Sequence, residues 1–358
     1  MMGGGAAVGI AGLAAPAIAQ GTPEIAWKLT SSYPRSLSNL YGVAEDFAGW
    51  VSEATDGRFR ISVAPVGEIA GPFEALEAIR DGKAEIAHTA SYYYTDQDPA
   101  FAFGTTVPFG LNARQQNAWL YEGGGNALLN ELYAGYGIFG LPAGNTGAQM
   151  GGWFRKEINS VEDLKGLRMR IPGLGGMTLA KLGVVPQQLG GADAAAKLAG
   201  GEIDAAEWVG PYDDLGLGFH KSARYYYHPG WWDGCGTVHL FIGLEQWNAL
   251  PKSYQAIVTA AAAYANAKMQ ARYDVSAPAA LETLLAEGTE LRTFPQPVLE
   301  ACFAAAGEVM AENSAASERF KAIYEPWSAF RRDEVAWFGV TELSFDTLMA
   351  ALSREGKL

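Results

Sequence analysis

The chain has 358 residues, 49% hydrophobic and only 18% charged, a globular composition long enough for two domains. Its formal net charge of -13, with no basic run, excludes a nucleic-acid interface. A single well-placed Arg can still hold an anionic ligand at short range.

Residues 1–19, MMGGGAAVGIAGLAAPAIA, carry no charge and end in the small-x-small pattern Ala17-Ile18-Ala19 of a signal-peptidase site. They read as a signal peptide with a truncated n-region, since a membrane anchor would be longer and more apolar, and export is the consequence. Cys235 and Cys302 are the only cysteines, too few for a disulfide framework or a cysteine zinc site, and read as unpaired, packed thiols. Beyond the leader, no uninterrupted apolar run approaches the roughly 18 residues of a spanning helix.

Residues 24–34 predict a strand running into a Ser/Pro loop, followed by a helix with Leu40, Val43, Phe47, Trp50 and Val51 on one stripe, stopped at Asp56-Gly57. A strand over 58–65, a helix over 71–82 and a strand over 84–90 complete β-α-β-α-β. An aromatic, Pro-rich connection comes next over 91–110, then a helix around 115–133 and a strand within 137–155 that carries the chain from one lobe to the other. Residues 167–208 repeat the first order: strand, Pro/Gly turn, short helix, strand, small-residue helix, Gly stop, strand. Two copies of one topology mean two lobes facing across a cleft. The chain then returns to the first lobe near 235–242, runs through a long Ala-rich helix over 250–288 with a kink expected at Pro278, and ends mostly helical. Lobe one is expected over 22–143 plus about 235–265, lobe two over 144–234 plus about 290–325, and a C-terminal helical segment over 326–358.

In an open α/β sheet, ligands bind beyond the carboxyl ends of the strands. Arg170 sits at such an end, just before Ile171-Pro172-Gly173, and Glu207 and Trp208 sit at another. Arg170 is better placed than Arg168, and its planar guanidinium can take a carboxylate through two parallel hydrogen bonds. The competing role for Arg170 is a salt bridge, with Glu207 as a partner in the empty cleft. Of the aromatics Tyr92, Tyr93, Tyr94, Phe101, Phe103 and Trp153, only Tyr93, with the Ser91-Tyr92 backbone, is expected to face ligand, the other side chains being core. Tyr225 to Tyr227, Trp231 and Trp232 read as hinge or core packing. His88, His220, His228 and His239 lack metal-ligand spacing and are taken as structural.

The motifs ASYYY (90–94), DPAFAFGTTVPFG (from 98), GNTGAQMGGWFRKEI (from 144), GLRMRIPGLGG (from 166), IDAAEWVGPYDD (from 203) and YYYHPGWWDG (from 225) occur in the order seen in one family. The chain resembles the DctP-type periplasmic solute-binding subunits of TRAP transporters over nearly its whole length, most closely the branch that binds 2-oxo acids such as pyruvate with sodium. The resemblance implies a two-lobed periplasmic binding protein fold of class α/β, with two mixed, mostly parallel sheets. It implies a small organic carboxylate as cargo, TRAP membrane permease subunits as partners, a periplasmic location and no enzyme activity. By similarity, Arg170 holds the substrate carboxylate, while Gln149, Glu207, the Trp208 carbonyl and, less firmly matched, Asp233 hold the ion. Gln149, Tyr93, Trp208 and Asn145 join Arg170 as substrate-binding candidates. One departure stands out, Ala195 and Ala196 where the family carries an aromatic and a proline, and it leaves one pocket wall undefined.

An all-oxygen set suits a hard cation and excludes soft-metal chemistry. A carboxylate such as Glu207 facing a carboxylate ligand in a dehydrated cleft is costly unless a cation lies between them. One protein charge favours sodium, and adding Asp233 shifts the balance toward calcium. The alternatives are a hydroxy acid or sugar acid on the same scaffold, or an exported metal-assisted hydrolase or lyase with Glu207 as base. GxSxG, HExxH and Ser/His/Asp signatures are absent from the sequence. A homodimer through the C-terminal helices is a further expectation.

Overall fold

The computed structural model describes residues 23–358, so the expected signal peptide lies outside the described residues. Among the described residues, eleven strands form two sheets. In the first, β1 (Ile25–Ser31) lies between β2 (Phe59–Ala64) and β3 (Ile86–Thr89), all parallel, and the order continues through β10 (Thr237–Gly243) to β4 (Ile138–Asn145). In the second, β6 (Arg168–Arg170) lies between β7 (Val185–Gln187) and β8 (Ala205–Ala206), again parallel. The order then runs through β5 (Trp153–Phe154) and β9 (Tyr225–His228) to β11 (Glu290–Thr293).

The repeat seen in the sequence is therefore a repeat of topology, with the first strand of each β-α-β-α-β unit in the middle. Next to each parallel triplet sits one antiparallel strand borrowed from elsewhere in the chain, β10 in the first sheet and β5 in the second. Five of nine pairings are parallel, so the sheets are mixed, with a smaller parallel majority than the alternation alone suggests.

Helix Gly42–Ala54 buries Val43, Ala44, Phe47, Ala48 and Val51 at helical spacing. Trp50, expected on that stripe, sits at its edge with its ring 4.4 Å from that of Tyr264. The single helix expected over 115–133 is two, Ala113–Tyr121 and Gly125–Ala134, because Gly124 adopts a left-handed conformation (φ 84°) between them. The strand expected within 137–155 is also two, β4 and β5, one in each sheet, with residues 146–152 crossing between them. Strand β9 falls on the aromatic run Tyr225 to Tyr227, where packing rather than a strand is the sequence expectation.

The Ala-rich helix spans Lys252–Ala286 and runs unbroken through Pro278. At ~1.5 Å per residue it is about 50 Å long, and it packs on both β4 and the helix Pro211–Leu217 beyond β8. Small residues allow this closeness: a Cβ on Gly144 of β4 would lie 2.4 Å from Met269 Sδ. The chain closes with helices Gln296–Ala316, Glu318–Val340 and Glu342–Arg354. Cys235 and Cys302 are free and buried, and burial pushes both thiols up to about 12.

Candidate functional site

Strands β6 and β8 are parallel neighbours, with Arg170 level with Ala206. Arg170 is thus the last residue of one strand and Glu207 the first residue past the other, so both side chains leave the sheet at the same end. Close approach demands glycine here: a Cβ on Gly152 (φ +80°) would lie 2.7 Å from Ala206 O and 3.0 Å from Glu207 Cα.

Arg170 and Glu207 are each 1% exposed and form an ion pair through Nη1 and Oε1. The same Nη1 donates to Glu207 O at 2.8 Å, and Nε donates to Leu189 O at 3.0 Å. The guanidinium lies over the Trp208 ring, 4.6 Å from its centroid. What is left over matters most. Arg170 Nη2, Glu207 Oε2, Asp233 Oδ1 and Trp208 Nε1 are buried with no protein partner, a state that native interiors avoid unless a ligand, ion or water satisfies them.

Gln149, on the crossing between β4 and β5, points its side-chain oxygen at Trp208 O (2.6 Å) and Asp233 Oδ2 (3.2 Å). Three oxygens converge with no donor among them. Either the amide turns over, giving both acceptors an N–H, or a cation sits among the three. Burial raises the carboxyl groups of Glu207 and Asp233 well above the usual carboxylate range, and the positive charge of Arg170 opposes this in both. Burial also disfavours the Arg170 cation, but Glu207 first, then Tyr92, Tyr93 and Asp233, hold it protonated.

Tyr33, Leu40, Tyr92, Tyr93, Gln149, Arg170 and Trp208 are among the residues around a small cavity. A second, smaller space adjoins it through Tyr92 and is lined by Glu207, Asp233, Thr106 and Trp232. Glu207 therefore faces the second space, while Arg170 faces the first.

Asn145 does not join them. Its Oδ1 accepts from Gly147 N (2.8 Å) and its Nδ2 donates to Thr237 Oγ1 (3.3 Å), so its amide shapes the crossing turn. Tyr92, expected to contribute backbone only, lines both spaces. Sequence reasoning missed Tyr33, although it lies in the loop at the carboxyl end of β1, where strand-end logic could have found it. Trp153 is core: its Nε1 donates to Asp214 Oδ2 at 2.9 Å. His88 and His239 are buried, which lowers both to about 3 and keeps them neutral.

Two sheets of matching topology joined by chain crossings, with a buried Arg and an oxygen cluster at the strand ends, define a two-lobed solute receptor. Residues 30–316 match the family model described as bacterial extracellular solute-binding protein, family 7 (DctP). The chain belongs to this family, that of the solute-binding proteins of TRAP transporters. It is 47% identical over 331 residues to a monocarboxylate 2-oxoacid-binding periplasmic protein of Nostoc sp., covering 92% of this chain and 91% of that one. A TRAP transporter solute-binding protein from Bordetella bronchiseptica, a mixed-occupancy dimer with copurified calcium and picolinate in one site, superposes with a TM-score of 0.91. Identity is 44%, over 93% of this chain and all of that one (100%). A TRAP periplasmic solute-binding protein from Pseudoalteromonas atlantica with bound sodium and pyruvate gives 0.87, at 37% identity over 90% of this chain and 98% of that chain.

Proposed function

We propose that this receptor captures a small 2-oxo monocarboxylate of the pyruvate type together with a hard cation, in the periplasm, and delivers it unchanged to TRAP permease subunits. The observation that carries this is the buried Nη2 of Arg170, which has no protein partner, close to Glu207 Oε2 and Asp233 Oδ1, which have none either. The ligand carboxylate takes Arg170. A 2-oxo group and a carboxylate oxygen can chelate one ion, which Gln149, Trp208 O and Asp233 hold from the other side and which Glu207 reaches if released from Arg170. With Arg170 cancelling Glu207, Asp233 and the ligand leave two negative charges, a count that sides with calcium over sodium. Ligand touching residues from both sheets binds the closed arrangement better and so favours it.

The test is calorimetry with pyruvate in sodium, calcium and choline buffers, followed by recovery of the ligand. Ion-dependent binding with pyruvate recovered intact is expected. Equal affinity in all three buffers refutes the ion, and chemical turnover refutes the receptor reading.

The partner reading includes a second copy of the chain. Val335, Trp337, Val340, Leu343, Phe345 and Leu348 are all more than half exposed along the two last helices. By length and composition, residues 318–354 could even cross a membrane. However, Phe320, Ile323 and Trp327 bury the start of the segment in the body of the protein, and the apolar face beyond them is open. The Bordetella relative, described as a dimer, supports a like copy as what covers it.

A further inference from the structure

The oxygen cluster depends on which end of the Gln149 amide faces it, and the structure contains a group that sets this. Thr146, buried one residue past the end of β4, has three polar neighbours around its hydroxyl. Gly236 N donates to Oγ1 at 2.9 Å, Oγ1 donates to Gly147 O at 2.9 Å, and Gln149 Nε2 donates to Oγ1 at 3.1 Å. A hydroxyl has one proton and two lone pairs. The backbone N–H of Gly236 takes one lone pair, and the carbonyl of Gly147 can only take the proton. With the proton on Gly147 O, the remaining lone pair accepts from the N–H end of Gln149, which leaves the amide oxygen toward Trp208 O and Asp233.

The opposite arrangement satisfies the cluster without an ion, at the cost of the Gly147 O hydrogen bond. If the amide turns over, its nitrogen donates to Trp208 O (2.6 Å) and Asp233 Oδ2 (3.2 Å), and the Thr146 hydroxyl swings from Gly147 O to donate to the amide oxygen at 3.1 Å. One rotation of a hydroxyl and one turn of an amide separate a cluster that needs a cation from one that excludes it. Space at this point is tight: a Cβ on Gly236 would lie 2.5 Å from Gln149 Nε2 and 2.9 Å from Thr146 Oγ1, so the two side chains are confined to these pairings.

We propose that Thr146 is the positioning residue for the cation, its hydroxyl proton deciding whether Gln149 presents an oxygen or an N–H to the ion. Thr146 touches neither ion nor substrate in this scheme. The inference rests on the hard-cation reading above. Oriented partners of this kind typically change ion affinity 10- to 100-fold.

The experiment compares wild type, Thr146→Val and Thr146→Ser, titrated with calcium chloride or sodium chloride against choline chloride without carboxylate. Ion affinity is read by calorimetry and by the ion-induced rise in Tm over the choline baseline. Thr146→Val is expected to lose at least about tenfold in ion affinity, and most of its ion-induced Tm rise, while Thr146→Ser stays within about threefold of wild type. A merely structural role would lower the choline Tm and leave the ion-induced rise intact. Should Thr146→Val fail to fold, Thr146→Ala is judged by the same criteria. Wild-type ion affinity retained in the hydroxyl-free variant overturns the role of Thr146 alone. Absence of ion binding in wild type, both without carboxylate and with pyruvate present, overturns both this role and the cation reading.

Discussion

Replacing Arg170 by Lys separates the shape of the guanidinium from its charge. Arg170→Ala would strand Glu207 as a buried, unpaired carboxylate, and lost affinity would be confounded with lost stability. A lysine keeps a positive charge for Glu207 but offers one nitrogen, whereas Arg170 uses Nε for Leu189 O and Nη1 for Glu207, leaving Nη2 free. The ammonium cannot hold Glu207 and also present a free donor in the cavity with the same geometry. A hydrogen bond to a charged group is worth about 1.5–3 kcal/mol, which corresponds to roughly a 10- to 150-fold loss in affinity. Calorimetric titration of Arg170→Lys with pyruvate, in buffer containing the cation, should show that loss with a Tm near wild type. An affinity within about threefold of wild type would mean that Nη2 does not receive the carboxylate, and the pocket assignment would fail.

Ion affinity should rise with pH. Burial raises Glu207 and Asp233, so near neutral pH the ion-free site holds protons that a cation must displace. Calorimetry in two buffers of different ionisation enthalpy should show proton release on binding, and an affinity flat between about pH 5.5 and 8 contradicts the prediction. The buried pair Asp213 and Asp214 should make the ion-free protein less stable as pH rises. Burial lifts them from 3.8 to about 7 and about 6, so between these values the folded state binds more protons than the unfolded one. Denaturant titrations should show stability falling over that window, with a shallower fall in Asp213→Asn. Gly152→Ala, forced against Ala206 O and Glu207 Cα in a left-handed conformation, should cost on the order of 2–4 kcal/mol and weaken pyruvate binding, as read by chemical unfolding and titration. Trp337→Asp with Phe345→Asp should shift the sedimentation coefficient to that of a monomer without changing pyruvate affinity. An unchanged coefficient at dimer mass would place the interface elsewhere.

Arg170 and Glu207 were legible because strand ends are legible: apolar alternation placed β6 and β8, and parallel pairing brings the carboxyl ends of both strands to the same side of the sheet. The split of the helix over 113–134 was also within reach, since three consecutive glycines at 123–125 are a strong break. Asn145 shows the limit. It stands four residues before Gln149, yet turn geometry spends its amide on Gly147 and Thr237, and no local pattern separates the two roles. The meeting of Thr146 and Gly236, ninety positions apart, arises from the β4–β10 ladder, an antiparallel pairing between segments that show no mutual signal in the chain.

That ladder has a consequence for how the molecule comes into being. Each sheet waits for a late arrival: the first has a gap between β3 and β4 until β10 exists, and the second lacks its edge until β11 does. Neither sheet can be complete until the polypeptide has been made up to Gly243 or Thr293, so each is finished by a segment far along the chain.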